Sequence, residues 1–108
     1  MPERGDVVLL PFPFSDLSAS KRRPVLVLAG ADAYGDFIAM PVTSRPQGEH
    51  GLPLAASDLV NGALPVGSWV RTDRAVTLHA SLIVKTIGRA SEQVVSAAVE
   101  RLCSHLGR

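Results

Sequence analysis

Cysteine occurs once, at position 103 of 108 residues. A single thiol can form neither an intramolecular disulfide nor a thiolate metal cluster. Charge of one sign is scarce too: 11 Lys and Arg stand against 10 Asp and Glu, for a formal net charge of +1. That balance excludes a strongly basic, non-specific polyanion binder. It leaves room for a local basic groove, because phosphate affinity follows where cations sit more than how many there are. The longest apolar run, PVLVLAGA from Pro24 to Ala31, is far too short to span a bilayer. The opening MPERGDVVLLPF carries both signs of charge and only a short apolar stretch before Pro11, unlike a signal peptide. A soluble, cytoplasmic chain without membrane association is expected. GxGxxG and Walker patterns are missing, so no nucleotide cradle and no cofactor are indicated. His50, His79 and His105 lack metal-ligand spacing, and each reads as a solvated or packed side chain. Cys103 reads as a core residue rather than a nucleophile.

What is present is a globular composition, 46% hydrophobic and 19% charged. A chain of this length is the size of one domain, 1–108, and buries roughly two-thirds of its unfolded surface. Strand-like runs occur at Asp6–Leu10, at RRPVLVLAG (Arg22–Gly30) and at FIAMPVTS (Phe37–Ser44). Pro24 should open the second of these or lie partly on an edge. RPQGEHGLP (Arg45–Pro53) reads as a long polar loop, and AASDLVNG (Ala55–Gly62) as a site for a short helical turn. LPVGSWVRTD (Leu64–Asp73) and SLIVKTIG (Ser81–Gly88) read as two more strands. The end differs in kind. Val94, Val95, Ala98, Val99, Leu102 and Leu106 fall on one helical face, between Ser91 as N-cap and Gly107 as stop. Five or six short strands with one terminal helix make a mainly β chain, for which a small barrel is the natural packing.

One stretch invites a chemical reading. In GSWVRTDRAV (Gly67–Val76), Trp69 and Val70 read as a strand running into a core. Alternation then sets Arg71 and Asp73 on one face and Val70 and Thr72 on the other. A surface ion pair of little energetic weight is one explanation. The other is a cluster. Arg22 and Arg23 begin the second strand after a Ser-rich loop that also supplies Lys21, and Thr43 and Ser44 end the third. If these strand ends converge, they gather guanidinium, hydroxyl and carboxylate groups. Arginine binds phosphate bidentately and stays charged, and a neighbouring carboxylate can take a proton from a hydroxyl. Such a group can cleave a phosphodiester without a metal.

RGDVVLLPFPFSD, KRRPVLVLA, MPVTS, VRTD and IVKTIGRAS, in that order from about Arg4 to Ser91, resemble the MazF/PemK/Kid toxins of type II toxin–antitoxin systems. The resemblance implies an SH3-like barrel that forms a homodimer. It implies a sequence-specific, metal-independent endoribonuclease acting on single-stranded RNA and leaving a cyclic phosphate and a 5′-hydroxyl. On this footing Arg23 stabilises the phosphate, Thr43 and Ser44 supply hydroxyls, and Arg71 and Asp73 match the family's acid and base. Arginine gives up a proton with difficulty, so Arg71 is assigned to charge stabilisation and Asp73 to the base. Lys21, Arg22, Arg45 and Arg74 are the candidate RNA-binding cations. Where the family usually has RTID or RTLD, this chain has VTLH, Val76–His79. The resemblance also implies an antitoxin whose acidic, disordered segment folds onto the arginine-lined groove. Two other functions fit the same barrel. One is a CcdB-like toxin that acts by binding DNA gyrase. The other is an SH3-like binding module that has lost catalysis.

Overall fold

Two strands dominate the middle of the molecule, and both are apolar on consecutive residues rather than on alternate ones. The computed structural model describes residues 2–11, 22–46, 48–64 and 67–107. In it β1 (Asp6–Pro11), β2 (Arg22–Ala29) and β3 (Asp36–Thr43) form an antiparallel core. Val25, Leu26 and Val27 are fully buried on β2, which requires cover on both faces of the sheet. Leu26, Leu28, Met40, Val42 and Val70 pack on one face with Val94, Val95 and Ala98 of the terminal helix. Val8, Leu10, Val25, Val27, Phe37 and Ala39 pack on the other. There the sheet curls over itself and brings in Leu78, Ala80 and Ile83. Register shifts between Val7 and Val8, between Val27 and Ala29, and between Leu59 and Asn61 mark the curl.

Eight strands, not five or six, build this curled half-barrel among the described residues. With β4 at Gly51–Leu54, β5 at Leu59–Gly62, β6 at Ser68–Arg71, β7 at Val76–His79 and β8 at Lys85–Ala90, the order is β4-β6-β3-β2-β1-β8-β5, and β7 also pairs with β3. Three of them escape the sequence reading: β4 (Gly51–Leu54), β5 (Leu59–Gly62) and β7 (Val76–His79). Each has four residues, too few to display a period. The long loop expected at Arg45–Pro53 contains a 3-10 turn at Gly48–His50 and the start of β4. Pro53 is tolerated there because β4 is an edge strand paired only with β6 (Ser68–Arg71). The turn expected within Ala55–Gly62 is a 3-10 helix at Ala56–Asp58. The strand expected at Ser81–Gly88 begins later, as β8 (Lys85–Ala90), since Ala80–Leu82 is a 3-10 turn capped by the His79 ring, whose Nδ1 accepts the Ser81 N–H. Gly62 is indispensable where β5 passes β8. Its φ is +78°, and a Cβ there would lie 2.3 Å from the Ile87 carbonyl oxygen.

Prolines fall where a missing donor does least harm. Pro24 pairs with Leu9 of β1, and the β2–β3 register begins one residue later, at Val25 opposite Pro41. On its other edge β3 pairs with β7 over Asp36–Ala39 and with β6 over Val42–Thr43. Pro41 lies in the gap between those two neighbours.

The terminal helix α1 (Glu92–His105) has Ser91 as its N-cap, accepting the Val94 N–H. Leu106 lies past the last turn and is exposed, outside the apolar face on which the 3.6-residue period placed it. Cys103 is half-buried on the helix flank. Arg4 clamps the helix start through Nε–Oε1 and Nη2–Oε2 bonds of 2.9 and 2.7 Å to Glu92, and Ser96 adds a third bond at 2.8 Å. The bonds from Arg4 and Ser96 hold the Glu92 carboxyl at about 2. A depressed carboxylate stabilises the fold above its ordinary pKa of 4.5 and loses that contribution as pH falls toward 2. Denaturant midpoints measured from pH 5 to 2 should therefore fall less steeply in Glu92→Gln than in the parent. Because the pair is exposed, added salt should narrow the difference.

Candidate active site

Strand register assembles the site. Val25 lies opposite Pro41, and Thr43 opposite Trp69. Arg23 lies two residues before Val25, and Arg71 two residues after Trp69, so each keeps the face of that neighbour. Opposed residues in a sheet share a face, so Arg23, Thr43 and Arg71 emerge together, on the face opposite the one α1 covers. A cavity of about 320 Å³ opens there, lined by Arg23, Pro41, Val42, Thr43, Ser44, Arg45 and Arg71. Three guanidinium groups and two hydroxyls converge on it, with no acid among the described lining residues. A chain of net charge +1 thus concentrates cations at one place, as phosphate binding requires.

The Thr43 hydroxyl oxygen accepts the Arg45 N–H at 3.2 Å, which turns the chain at the end of β3 and leaves the Thr43 proton to be donated. Asp73 is held to the cavity through Arg71 rather than lining it. Arg71 Nε and Nη2 donate to its two carboxylate oxygens at 3.2 and 2.9 Å, a two-pronged bond between half-buried side chains. Burial acts most strongly on the Asp73 carboxyl and pushes its pKa up. The Arg71 bond and charge, the backbone N–H of Asp73 and the nearby His50 push it down, and the net result lies below the usual carboxylate range. The half-buried pair differs in kind from the exposed surface ion pair weighed for these two residues.

Other candidate cations are placed differently. Arg22 lines an adjoining, more apolar cavity of about 250 Å³ that shares Arg23, Thr43 and Ser44 with the first and is walled by Leu9, Pro24, Leu64, Ser68 and Ile87. Arg74 is exposed and outside both cavities; its N–H closes a turn on the Arg71 carbonyl at 3.2 Å. Lys21 and the Ser-rich loop before it lie outside the described residues. His79 braces β7: Nε2 meets the Tyr34 carbonyl and Nδ1 the Ser81 hydroxyl, each at 2.8 Å. Sequence reasoning missed the apolar cavity, whose lining comes from five separate strands and the segment between β5 and β6. It also missed a brace behind Arg71 and Asp73, where Thr72 is bonded twice to the His50 carbonyl.

A family model for the PemK-like, MazF-like toxin of type II toxin–antitoxin systems matches residues 3–106. The chain belongs to this toxin family. No curated protein sequence matches it. Among solved structures, MazF from Deinococcus radiodurans is 32% identical, over 99% of this chain and 97% of its own, with a TM-score of 0.76. A MazE–MazF complex from the same organism matches at 31% identity, over 98% of this chain and 95% of that one, with a TM-score of 0.75. An endoribonuclease from a mycobacterial species, in complex with its cognate antitoxin, is 21% identical over 98% of this chain and 93% of its own, at a TM-score of 0.69. At that identity the likeness bears on fold alone. The mainly β half-barrel with a C-terminal helix is thus the toxin fold. No helix of the described residues is long and apolar enough to cross a membrane.

Proposed function

We propose that this toxin is a sequence-specific, metal-independent endoribonuclease that cuts single-stranded RNA in the cytoplasm. The observation that carries the reading is the cavity in which Arg23, Arg45 and Arg71 meet the Thr43 and Ser44 hydroxyls, with Asp73 bonded behind Arg71. A phosphodiester seated there has its non-bridging oxygens among guanidinium and hydroxyl donors, which stabilise the charge that builds in the transition state. The 2′-hydroxyl of the RNA attacks the adjacent phosphorus. Its proton passes to Asp73, and the 5′-oxygen leaves and is protonated from solvent. The products are a 2′,3′-cyclic phosphate and a 5′-hydroxyl.

The ion pair gives this chemistry a trigger. In the free protein both Asp73 oxygens are occupied by Arg71. An incoming phosphate competes for the same guanidinium. As Arg71 turns toward it, the main compensation for the burial of Asp73 is lost, its pKa rises, and it becomes a better base. Arg22 and Arg74 extend the cationic track along the RNA backbone. An antitoxin with an acidic, disordered segment would neutralise the same groove, in keeping with the MazE–MazF and endoribonuclease–antitoxin complexes among the structural neighbours. The active form is a homodimer.

The test is digestion of a long single-stranded RNA by the purified protein in excess EDTA. Discrete cuts with 5′-hydroxyl ends are expected. Arg23→Ala should reduce them by about 10²-fold or more. Intact RNA in the presence of folded protein would overturn the enzymatic reading and favour a toxin that acts by binding.

A further inference from the structure

The site has a back as well as a front. Thr72 is 2% exposed and does not line the cavity. Its N–H and its hydroxyl both donate to the His50 carbonyl, at 3.0 and 2.8 Å. His50 is itself wedged. Its ring meets that of His105 edge-on with centroids 4.8 Å apart, and its Nε2 lies 3.4 Å from Glu49. The next carbonyl, that of Gly51, accepts from Arg101 at 3.3 Å. α1 therefore grips the start of β4, and the start of β4 grips Thr72.

We infer that Thr72 is a positioning residue of the RNA-cleaving site, its hydroxyl fixing the direction of Arg71 and Asp73 by anchoring the chain between them to His50. The inference rests on the ribonuclease reading of the cavity. Arg71 is the last residue of β6 and pairs with Gly51. Beyond it the chain turns, and Asp73 has no ladder partner to hold it. A strand end held by the Thr72 N–H alone can pivot about that bond. The second bond, from the hydroxyl, removes the pivot. Small errors in the placement of a base and a charge stabiliser are costly to rate, and here both sit one residue from the pin.

Two substitutions separate the hydroxyl from the shape. Thr72→Val keeps the volume and loses the bond; Thr72→Ser keeps the bond and loses a methyl group. Two readouts are taken: RNA cleavage kinetics, and the titration of the Asp73 carboxyl followed by 13C NMR. Thr72→Val is expected to lower kcat about tenfold with KM little changed, and to move the Asp73 titration up toward the ordinary carboxylate value. Thr72→Ser should restore both. Wild-type rate and an unmoved titration in Thr72→Val would overturn the inference, as would equal losses in Val and Ser. If the parent protein leaves RNA intact, the ribonuclease reading fails; the NMR arm then stands alone, and an unmoved Asp73 sinks the brace. If thermal melts show Thr72→Val unfolded, Thr72→Ala against Thr72→Ser makes the same comparison.

Discussion

Asp73→Asn is expected to slow RNA cleavage by about 10²- to 10⁴-fold, the range for loss of a positioned general base, with little change in KM. Asparagine keeps the size of the side chain and one acceptor for Arg71, so the cavity should retain its shape. Arg71→Ala acts on the other member of the pair and should cost about 10²- to 10³-fold through lost charge stabilisation. The two variants part in their pH dependence. In the parent, Asp73 lies below the usual carboxylate range because Arg71 and its other partners outweigh burial. It is ionised at neutral pH and through mild acid, and the acid limb of kcat/KM belongs below that range. In Arg71→Ala the burial remains and the main compensation is gone, so the residual activity should show an acid limb moved upward. In Asp73→Asn that limb should vanish. A parent whose rate is indifferent to Asp73→Asn would remove Asp73 from the chemistry and leave it as an orienting partner for Arg71.

Why this site was half legible in the sequence follows from how it is built. Arg23, Thr43 and Arg71 stand at strand ends with recognisable runs beside them: VLVL after Arg23, FIAMPV before Thr43, SWV before Arg71. Alternation placed Arg71 and Asp73 on one face and Val70 and Thr72 on the other; Val70 and Thr72 are buried, but the strand expected to reach Asp73 ends at Arg71, and Asp73 meets Arg71 across a turn rather than by alternation. What alternation does not supply is which strands lie side by side. The convergence of Arg23 with Thr43 and Arg71 depends on β3 being flanked by both β2 and β6. The His50–Thr72 brace depends on β4, a four-residue edge strand of Gly, Leu, Pro and Leu. Nothing local marks such a segment as a strand; its pairing is a tertiary event. The same holds for β7, where Val76–His79 is a strand because β3 offers it an edge. At the helix both the period and the stop agree with the sequence reading, since Gly107, at φ +95°, ends the chain's helical path just past the C-cap Leu106. α1 stops at His105, and Leu106 is carried past the last turn.

The second large effect tests the feature on which the fold depends most, a sheet buried on both faces. Phe37 and Ile38 are neighbours on β3, and no hydropathy argument ranks one far above the other. Phe37 is 1% exposed, within the cluster of Val8, Leu10, Val25 and Val27, while Ile38 is 43% exposed on the opposite face. Phe37→Ala should destabilise the protein by about 3–5 kcal/mol, since the truncation leaves a cavity in a face that curls over itself and cannot readily collapse. For a domain of this size that corresponds to a fall in Tm on the order of 15–25 °C. Ile38→Ala should stay within about 1 kcal/mol, because most of what it removes already touches water. Paired urea melts decide the matter, and a cost below about 1 kcal/mol for Phe37→Ala would show that the helix-free face is not a packed core. The pair also isolates stability from chemistry. Phe37 lies at the opposite end of β3 from Thr43, roughly 20 Å away at about 3.3 Å per residue. At a temperature where Phe37→Ala is folded, it should cut RNA at the parent rate. The face that carries the cavity would then be a rigid platform whose far end sets how long the enzyme survives and whose near end sets what it does.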